Sequence, residues 1–433
     1  MTQRNIRIGT GCAALLAALS IGSAQAQQKE IKVGVIYDYT GAFAAGGSEA
    51  AALGTKIAID MINEKGGVEG YKIVPIYADA QSKTEVAINE MTRLLDQEKV
   101  ALIMGVFSSA QCVPMAQRVD AAKKFMWANV CVASAVFKDK KLSYVFRPQV
   151  HSDQFGEASC SYIAENAKEK LGMDVKKVKV AIIYEDGPYG VGVAQGNEAK
   201  CKALGMDVVL KEGYAASSPD LSSLVTKLKR GRADILLHTG YNPDITLFLR
   251  QSREQGLKFK GIIGHGAGYG QIGKMMETFG TDVNYFFNVD PVAAQLLDPK
   301  SLKPGLGDLT KEMVKRYQAQ KGPNDLPPHV SMGFNQSWIL FNDVMPRAIK
   351  KHGGFDPEAL RKAALETDIP TGGTIQGYGV KFFPAGSSMA GQNERSSPVV
   401  MQYVNGRTYI AWPKAIRTTD PILPFPKGHP YGM

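Results

Sequence analysis

"RPQVHSD", residues 147–153, is the short stretch on which the reading of the whole chain turns. Before it, β-branched runs alternate with helix-like segments: "IKVGVIY" (31–37), a helical stretch over about 47–65, "KIVPIYAD" (72–79), a helix near 83–97, "VALIMGV" (100–106), a helix over about 110–124 and "FMWANVCV" (125–132). Behind it the alternation starts again. A helix near 152–171 leads into "VKVAIIY" (178–184), a helix over about 190–204, "DVVLKEGY" (207–214), a helix near 221–230, "DILLHTG" (234–240), a helix near 245–255 and "GIIGHG" (261–266). Such a series predicts parallel strands with helices on both faces. Two series of comparable length predict an α/β fold of two doubly wound, Rossmann-like lobes, and the proline at 148 marks the first crossover between them.

Composition agrees with a folded, multi-lobed chain. With 44% hydrophobic and 21% charged residues over 433 positions, it can bury a sizeable core and is not a disordered sequence. The formal charge of +10 is spread along the chain, with no basic run interleaved with aromatics, so nucleic acid is not expected as a partner. A basic surface favours small anions or the acidic face of a protein.

Arg4 and Arg7 precede an alanine-rich apolar run from Cys12 to Gly22, and Ala24-Gln25-Ala26 has the small-x-small form of a signal-peptidase site. Residues 1–26 are therefore expected to be a cleaved signal peptide, and the mature chain a soluble, exported protein. Four cysteines remain: Cys112, Cys131, Cys160 and Cys201. No CxxC and no Cys/His spacing suits zinc, so disulfides or buried thiols are expected and a metal site is not. Pairing Cys112 with Cys131 and Cys160 with Cys201 is expected because each pair spans one strand-helix unit; sequence leaves the other pairings open.

In an open parallel sheet, ligands bind beyond the carboxyl ends of the strands. The loops there read "DYTGAFAAGG" (38–47), "FSSAQC" (107–112), "VASAVF" (132–137), "EDGPYG" (185–190), "TGYNPD" (239–244) and "GHGAGYG" (264–270). They are rich in hydroxyls, aromatics and glycine. They hold no GxSxG, P-loop lysine or HExxH, which argues against an enzyme and against a bound cofactor. The last loop fails the dinucleotide spacing G-x-G-x-x-G, because the sixth position is Tyr269 counted from Gly264 and Gln271 counted from Gly266. Two lobes presenting such loops form a cleft that closes on a small solute.

The stretches "IKVGVIYDYTGAFAAGG", "GTKIAIDMINEKGGVEGYKI", "YADAQSKTEVAINEMTRLL" and "GYNPDITLFLRQSREQGL" resemble the periplasmic solute-binding proteins of branched-chain amino acid type that serve ABC importers. The resemblance runs from about residue 30 to 412. It implies a monomer of two lobes joined by three crossovers, with permease subunits as partners and no catalysis. By that analogy the first lobe takes 29–148 and 278–385, and the second takes 149–277 and 386–413. The Pro-rich tail, 414–433, is expected to lie along the surface.

The same analogy carries binding positions across. Ser109, with Ser108 beside it, matches the serine that holds a ligand carboxylate. Val132 and Ser134 match a carbonyl and a hydroxyl after the fourth strand, and Tyr189 and Tyr241 match aromatics of the second lobe that close over the solute. Each has a plainer reading: Ser108 or Ser109 could merely cap the helix behind it, and Tyr189, between Pro188 and Gly190, could simply pack in a turn. Capping and anion binding coincide, since free N–H groups at a helix start attract carboxylates.

One departure bears on the ligand. Amino-acid binders of this type carry an acid in the loop after the "GLK" strand, but 258–276 offers no Asp or Glu on that loop, and His265 or Gly266 stands where the acid belongs. Gly46 and Gly47 replace an aromatic wall, and His329, in "PPHVSMGF" (327–334), aligns with a pocket phenylalanine. With Phe43 and Tyr39, these residues describe an aromatic-lined pocket with neutral donors. The expected ligand is thus an aromatic or medium-chain aliphatic carboxylate without an ammonium group. Two other readings stay open: an amino-acid binder whose acid comes from elsewhere, such as Asp290 or Asp38, and a sensor that docks on a receptor. His265 and His329 could also be ordinary polar residues.

Overall fold

A computed structural model of the chain describes residues 1–2, 29–323 and 326–433. The signal peptide expected at 1–26 lies almost wholly outside the described residues.

The first sheet is entirely parallel. It is laid down by β1 (Glu30–Tyr37), α1 (Glu49–Glu64), β2 (Lys72–Asp79), α2 (Thr84–Asp96), β3 (Ile103–Gly105), α3 (Ser109–Ala121), β4 (Met126–Ala128) and β5 (Val145–Phe146), with spatial strand order β2-β1-β3-β4-β5. Pro75 sits on β2, an edge strand, where the missing N–H costs no ladder bond on the open side. The run read as one strand over 125–132 pairs only at 126–128. Residues 129–132 leave the sheet as a loop.

The second sheet follows through α4 (Ser152–Leu171), β6 (Lys179–Glu185), α5 (Pro188–Ala203), β7 (Asp207–Tyr214), α6 (Ser222–Gly231), β8 (Ile235–Thr239), α7 (Asn242–Glu254), β9 (Gly261–His265), the single turn α8 (Gly266–Tyr269), α9 (Ile272–Phe279) and β10 (Phe287–Asp290). The chain then returns to the first lobe for α10 (Leu306–Lys321), α11 (Pro328–Ile339), α12 (Met345–His352) and α13 (Pro357–Leu365). It re-enters the second sheet as β11 (Val399–Val404) and β12 (Arg407–Trp412), giving strand order β12-β11-β10-β9-β8-β6-β7. β6 to β10 run parallel, and β11 pairs antiparallel with both β10 and β12.

Two boundaries differ from the sequence reading. Placing 278–290 in the first lobe is corrected by β10, which bonds β9 and β11, so the second crossover follows Asp290. Nor does the tail simply lie on the surface. Phe425 and Tyr431 enter the second lobe's core, Tyr431 is fully buried and donates to Leu249 O at 3.0 Å, and Phe259 N donates to Tyr431 O at 2.9 Å.

The first and third crossovers run side by side. Arg147 N donates to Gly391 O at 2.9 Å, and Asn393 N to Arg147 O at 3.0 Å. The buried Arg147 guanidinium reaches Gln392 Oε1 at 2.6 Å and the carbonyls of Cys131 and Ala133 at 3.0 and 2.9 Å. Cys112 is bonded to Cys131, and Cys160 to Cys201.

Candidate functional site

Between the lobes, strand ends and helix starts converge as parallel sheets require. Phe107, Ser109, Val130, Val132, Met332 and His329 from the first lobe face Phe155, Tyr189, Tyr241, Gly266, Ala267 and Asp290 across a narrow pocket with about 30 Å³ of free volume. That free space is far below the ~300–1,000 Å³ typical of small-molecule sites, so the two lobes nearly fill the cleft and must part to admit a ligand.

On the first-lobe side, Ser108 caps α3 by accepting from Ala110 N at 3.3 Å. Ser109 is the helix's first residue, and its Oγ accepts from Ala133 N at 3.1 Å. The Ser109 hydroxyl hydrogen is then available to an acceptor in the pocket. The Cys112–Cys131 disulfide ties this helix to the 129–132 loop, which also lines the pocket. The carbonyl of Val132 already accepts from Ser152 N at 2.8 Å. α11 delivers His329 and Met332, and is pinned by Trp127 Nε1 donating to Gln336 O at 2.9 Å.

On the second-lobe side, Tyr189 opens α5 behind Pro188, and its hydroxyl donates to His265 O at 2.7 Å. Tyr241 N donates to Asp244 Oδ1 at 2.9 Å, fixing the start of α7. Its ring meets Phe43 at 4.4 Å between centroids and Tyr189 at 5.5 Å.

Asp290, the last residue of β10, is 1% exposed, and neither carboxylate oxygen has a hydrogen-bond partner among the described residues. Burial pushes its carboxyl well above the usual range; the Asn288 amide two residues back on the strand opposes this from nearby but does not reach hydrogen-bond geometry. The glycine loop wraps this group: a Cβ on Gly266 would lie 3.6 Å from Asp290 Oδ1, and one on Gly270 would lie 3.0 Å from Oδ2. The loop itself lacks an acid, but a neighbouring strand brings one to it.

The structure brings Ser109, Val132, Tyr189, Tyr241 and His329 to the pocket and removes others. The His265 ring turns into the core, with Nε2 2.8 Å from Ser159 Oγ and Nδ1 2.9 Å from Thr239 Oγ1, and burial lowers its pKa to about 4. Ser134 sits at the first crossover, donating to Asp153 Oδ1 at 2.8 Å. Ser108 serves as a cap. Phe43 stands behind the lining, its ring 4.4 Å from that of Tyr241 and 6.4 Å from that of Phe107, and Gly46 faces Asn242, its Cβ position 3.7 Å from Asn242 Cβ. The space expected at Gly47 is filled by Phe107 and His329, 2.9 and 3.1 Å from its Cβ position. Asp38 is engaged by Gln111 Nε2 at 2.7 Å and Ser82 N at 2.8 Å, away from the pocket.

Sequence reasoning did not single out Phe107, Val130, Phe155, Ala267 or Met332, and held Asp290 only as an alternative. The available signal for Asp290 was an acid closing the apolar run "FFNV" (286–289). Among the described residues no His/Cys/Asp/Glu group could hold a metal, and no helix is long and apolar enough to cross a membrane.

A family model described as "Periplasmic binding protein" matches residues 30–393. The chain is 35% identical over 410 residues to Leu/Ile/Val-binding protein homolog 7 of Brucella abortus (strain 2308), covering 94% of this chain and 98% of that protein. It is 33% identical to homolog 8 of Brucella suis biovar 1 (strain 1330), covering 93% and 95%. In fold it is similar to the leucine-binding protein LivK of Thermotoga maritima MSB8, with TM-score 0.71, 22% identity and coverage of 88% and 97%. It is likewise similar to LivJ of Streptococcus pneumoniae in complex with isoleucine, with TM-score 0.70, 19% identity and coverage of 88% and 98%.

Proposed function

The chain belongs to the periplasmic binding protein family, and from that premise we propose that it captures a small α-amino acid between its lobes and presents it to an ABC import permease. The observation that carries the amino-acid reading is Asp290, a buried carboxylate without a partner among the described residues, on a pocket whose lining contains no Lys or Arg. A buried carboxylate is costly unless a cation meets it, and a ligand ammonium is that cation. Opposite it, the Ser109 hydroxyl, whose oxygen already accepts from Ala133 N and whose hydrogen is left for the pocket, suits a carboxylate at the positive end of α3. An α-amino acid carries both charges, on two groups attached to one carbon. This reading replaces the expectation of a ligand without an ammonium, which rested on the glycine loop's missing acid.

In this reading the lobes close about the crossovers near 147–151, 291–293 and 393–398, the protein acts as a monomer, and residues 1–26 direct its export. A carboxylic acid without an ammonium is the second reading, supported by the raised Asp290 pKa, since a protonated Asp290 needs no cation.

Calorimetry with matched pairs separates the two. Each amino acid is compared with its des-amino analogue, for example leucine with 4-methylpentanoate. The amino member is expected to bind at least ~100-fold tighter, because stranding a buried charge costs ~3–5 kcal/mol. Equal or tighter binding of the plain acids would overturn the amino-acid reading.

A further inference from the structure

His329 gives the pocket a polar feature beyond the two charged ends. It is 2% exposed, lies at the start of α11, and packs its ring 5.5 Å from that of Phe107. Its Nδ1 is 2.9 Å from Gln271 Nε2, a bond that spans the two lobes. An amide nitrogen can only donate, so Nδ1 accepts and the neutral ring carries its hydrogen on Nε2. No described group bonds Nε2, and the ring borders the pocket.

The position of that ring decides what Nε2 can meet. A single Cβ position, on Gly270, lies 3.0 Å from both Asp290 Oδ2 and His329 Cε1. The acid from β10 and the imidazole from α11 therefore converge over one glycine. A ligand group that reaches His329 while an ammonium sits on Asp290 must be close to the ammonium, and the β-position of an amino acid is the nearest side-chain site. We propose that the ligand is a β-hydroxy α-amino acid of the serine or threonine type, its hydroxyl paired with His329 Nε2 while its ammonium lies on Asp290.

A hydroxyl suits this place better than other polar groups. Its oxygen accepts from Nε2–H, and its own hydrogen remains for a further acceptor such as Asp290. A second carboxylate or a basic side chain on the ligand would enter a pocket lined by no further counter-charge. The Phe107, Phe155 and Met332 walls leave the rest of a short side chain in apolar contact.

The inference rests on the amino-acid reading, and one calorimetric series tests both. Threonine and valine are nearly isosteric, as are serine and alanine, so each pair isolates the hydroxyl. Wild-type protein is expected to bind the hydroxyl member at least ~10-fold tighter, since the aliphatic member leaves a buried donor unpaired. His329→Phe should bring each ratio to about one, and His329→Gln, which retains a donor, should keep part of it. Valine binding as tightly as threonine to wild type, or an unchanged ratio in His329→Phe, overturns this inference and leaves the amino-acid reading standing. If none of the four binds and only des-amino acids do, the amino-acid reading itself fails. Should His329→Phe not fold, the wild-type threonine-to-valine ratio decides alone.

Discussion

Asp290→Asn should move stability and binding in opposite directions. In the empty protein Asp290 is buried and its carboxyl lies well above the usual range because of that burial. The unfolded chain loses this proton near pH 3.9, whereas the folded chain holds it to higher pH. Stability is therefore full below the unfolded pKa and is lost at up to ~1.4 kcal/mol per pH unit as pH rises toward the folded pKa. The isosteric amide has no such loss. At pH 7 the empty variant should be more stable, by up to ~1.4 kcal/mol for each pH unit above the unfolded pKa until the folded pKa is reached, and should melt higher by ~2–4 °C per kcal/mol. Its amino-acid affinity should fall by ~3–5 kcal/mol, because the ligand's ammonium then enters the pocket without a counter-charge. In a thermal-shift assay with ligand at 100 times the wild-type dissociation constant, wild type gains ~2.7 kcal/mol and the variant almost nothing. Wild-type affinity should also rise with pH until Asp290 is ionised in the empty protein, with proton release detectable by calorimetry in buffers of different ionisation enthalpy. An Asp290→Asn protein that melts lower when empty and binds amino acids normally would refute the reasoning.

Two further outcomes follow from close contacts. Gly270→Ala is compatible with its backbone (φ −73°), yet its methyl would press on Asp290 and His329; it should weaken binding by at least ~10-fold while circular dichroism stays native, and a wild-type dissociation constant would contradict the placement of the pocket. Tyr431→Ala should lower unfolding free energy by ~3–5 kcal/mol, as for other large buried aromatics, because the ring is wholly enclosed and its hydroxyl is bonded to Leu249 O. A change under ~1 kcal/mol in chemical denaturation would show that 414–433 is only superficially attached.

The two-lobed α/β fold was legible because local periodicity records which faces are buried. "VKVAIIY" and "DILLHTG" read as buried parallel strands, and the series restarts visibly behind Pro148. β10 was harder, since its partner β11 comes from a distant part of the chain, and nothing local says which sheet an isolated apolar run will join. Ser109 was readable as the first residue of a helix behind a strand. His265 was misread because strand side chains alternate between faces: it ends β9 pointing toward Ser159 and not into the cleft. Asp290 was legible as an acid at a strand's carboxyl end, but its meeting with the glycine loop depends on β9 and β10 lying side by side, a tertiary fact. The tail over 414–433 was misjudged because proline-rich composition describes the backbone around a ring such as Tyr431 and not the slot the ring fills.

The joining of β11 to β10 has a consequence for the order of assembly. A chain that emerges amino end first can complete its first sheet early, since β1 to β5 are contiguous. The second sheet must wait with the β10 edge open until 399–412 arrives, and its core must wait for Phe425 and Tyr431. For that interval the molecule carries an unfinished lobe with an exposed row of backbone donors and acceptors, the kind of edge that invites pairing with another chain. Chaperone protection during export would matter most there.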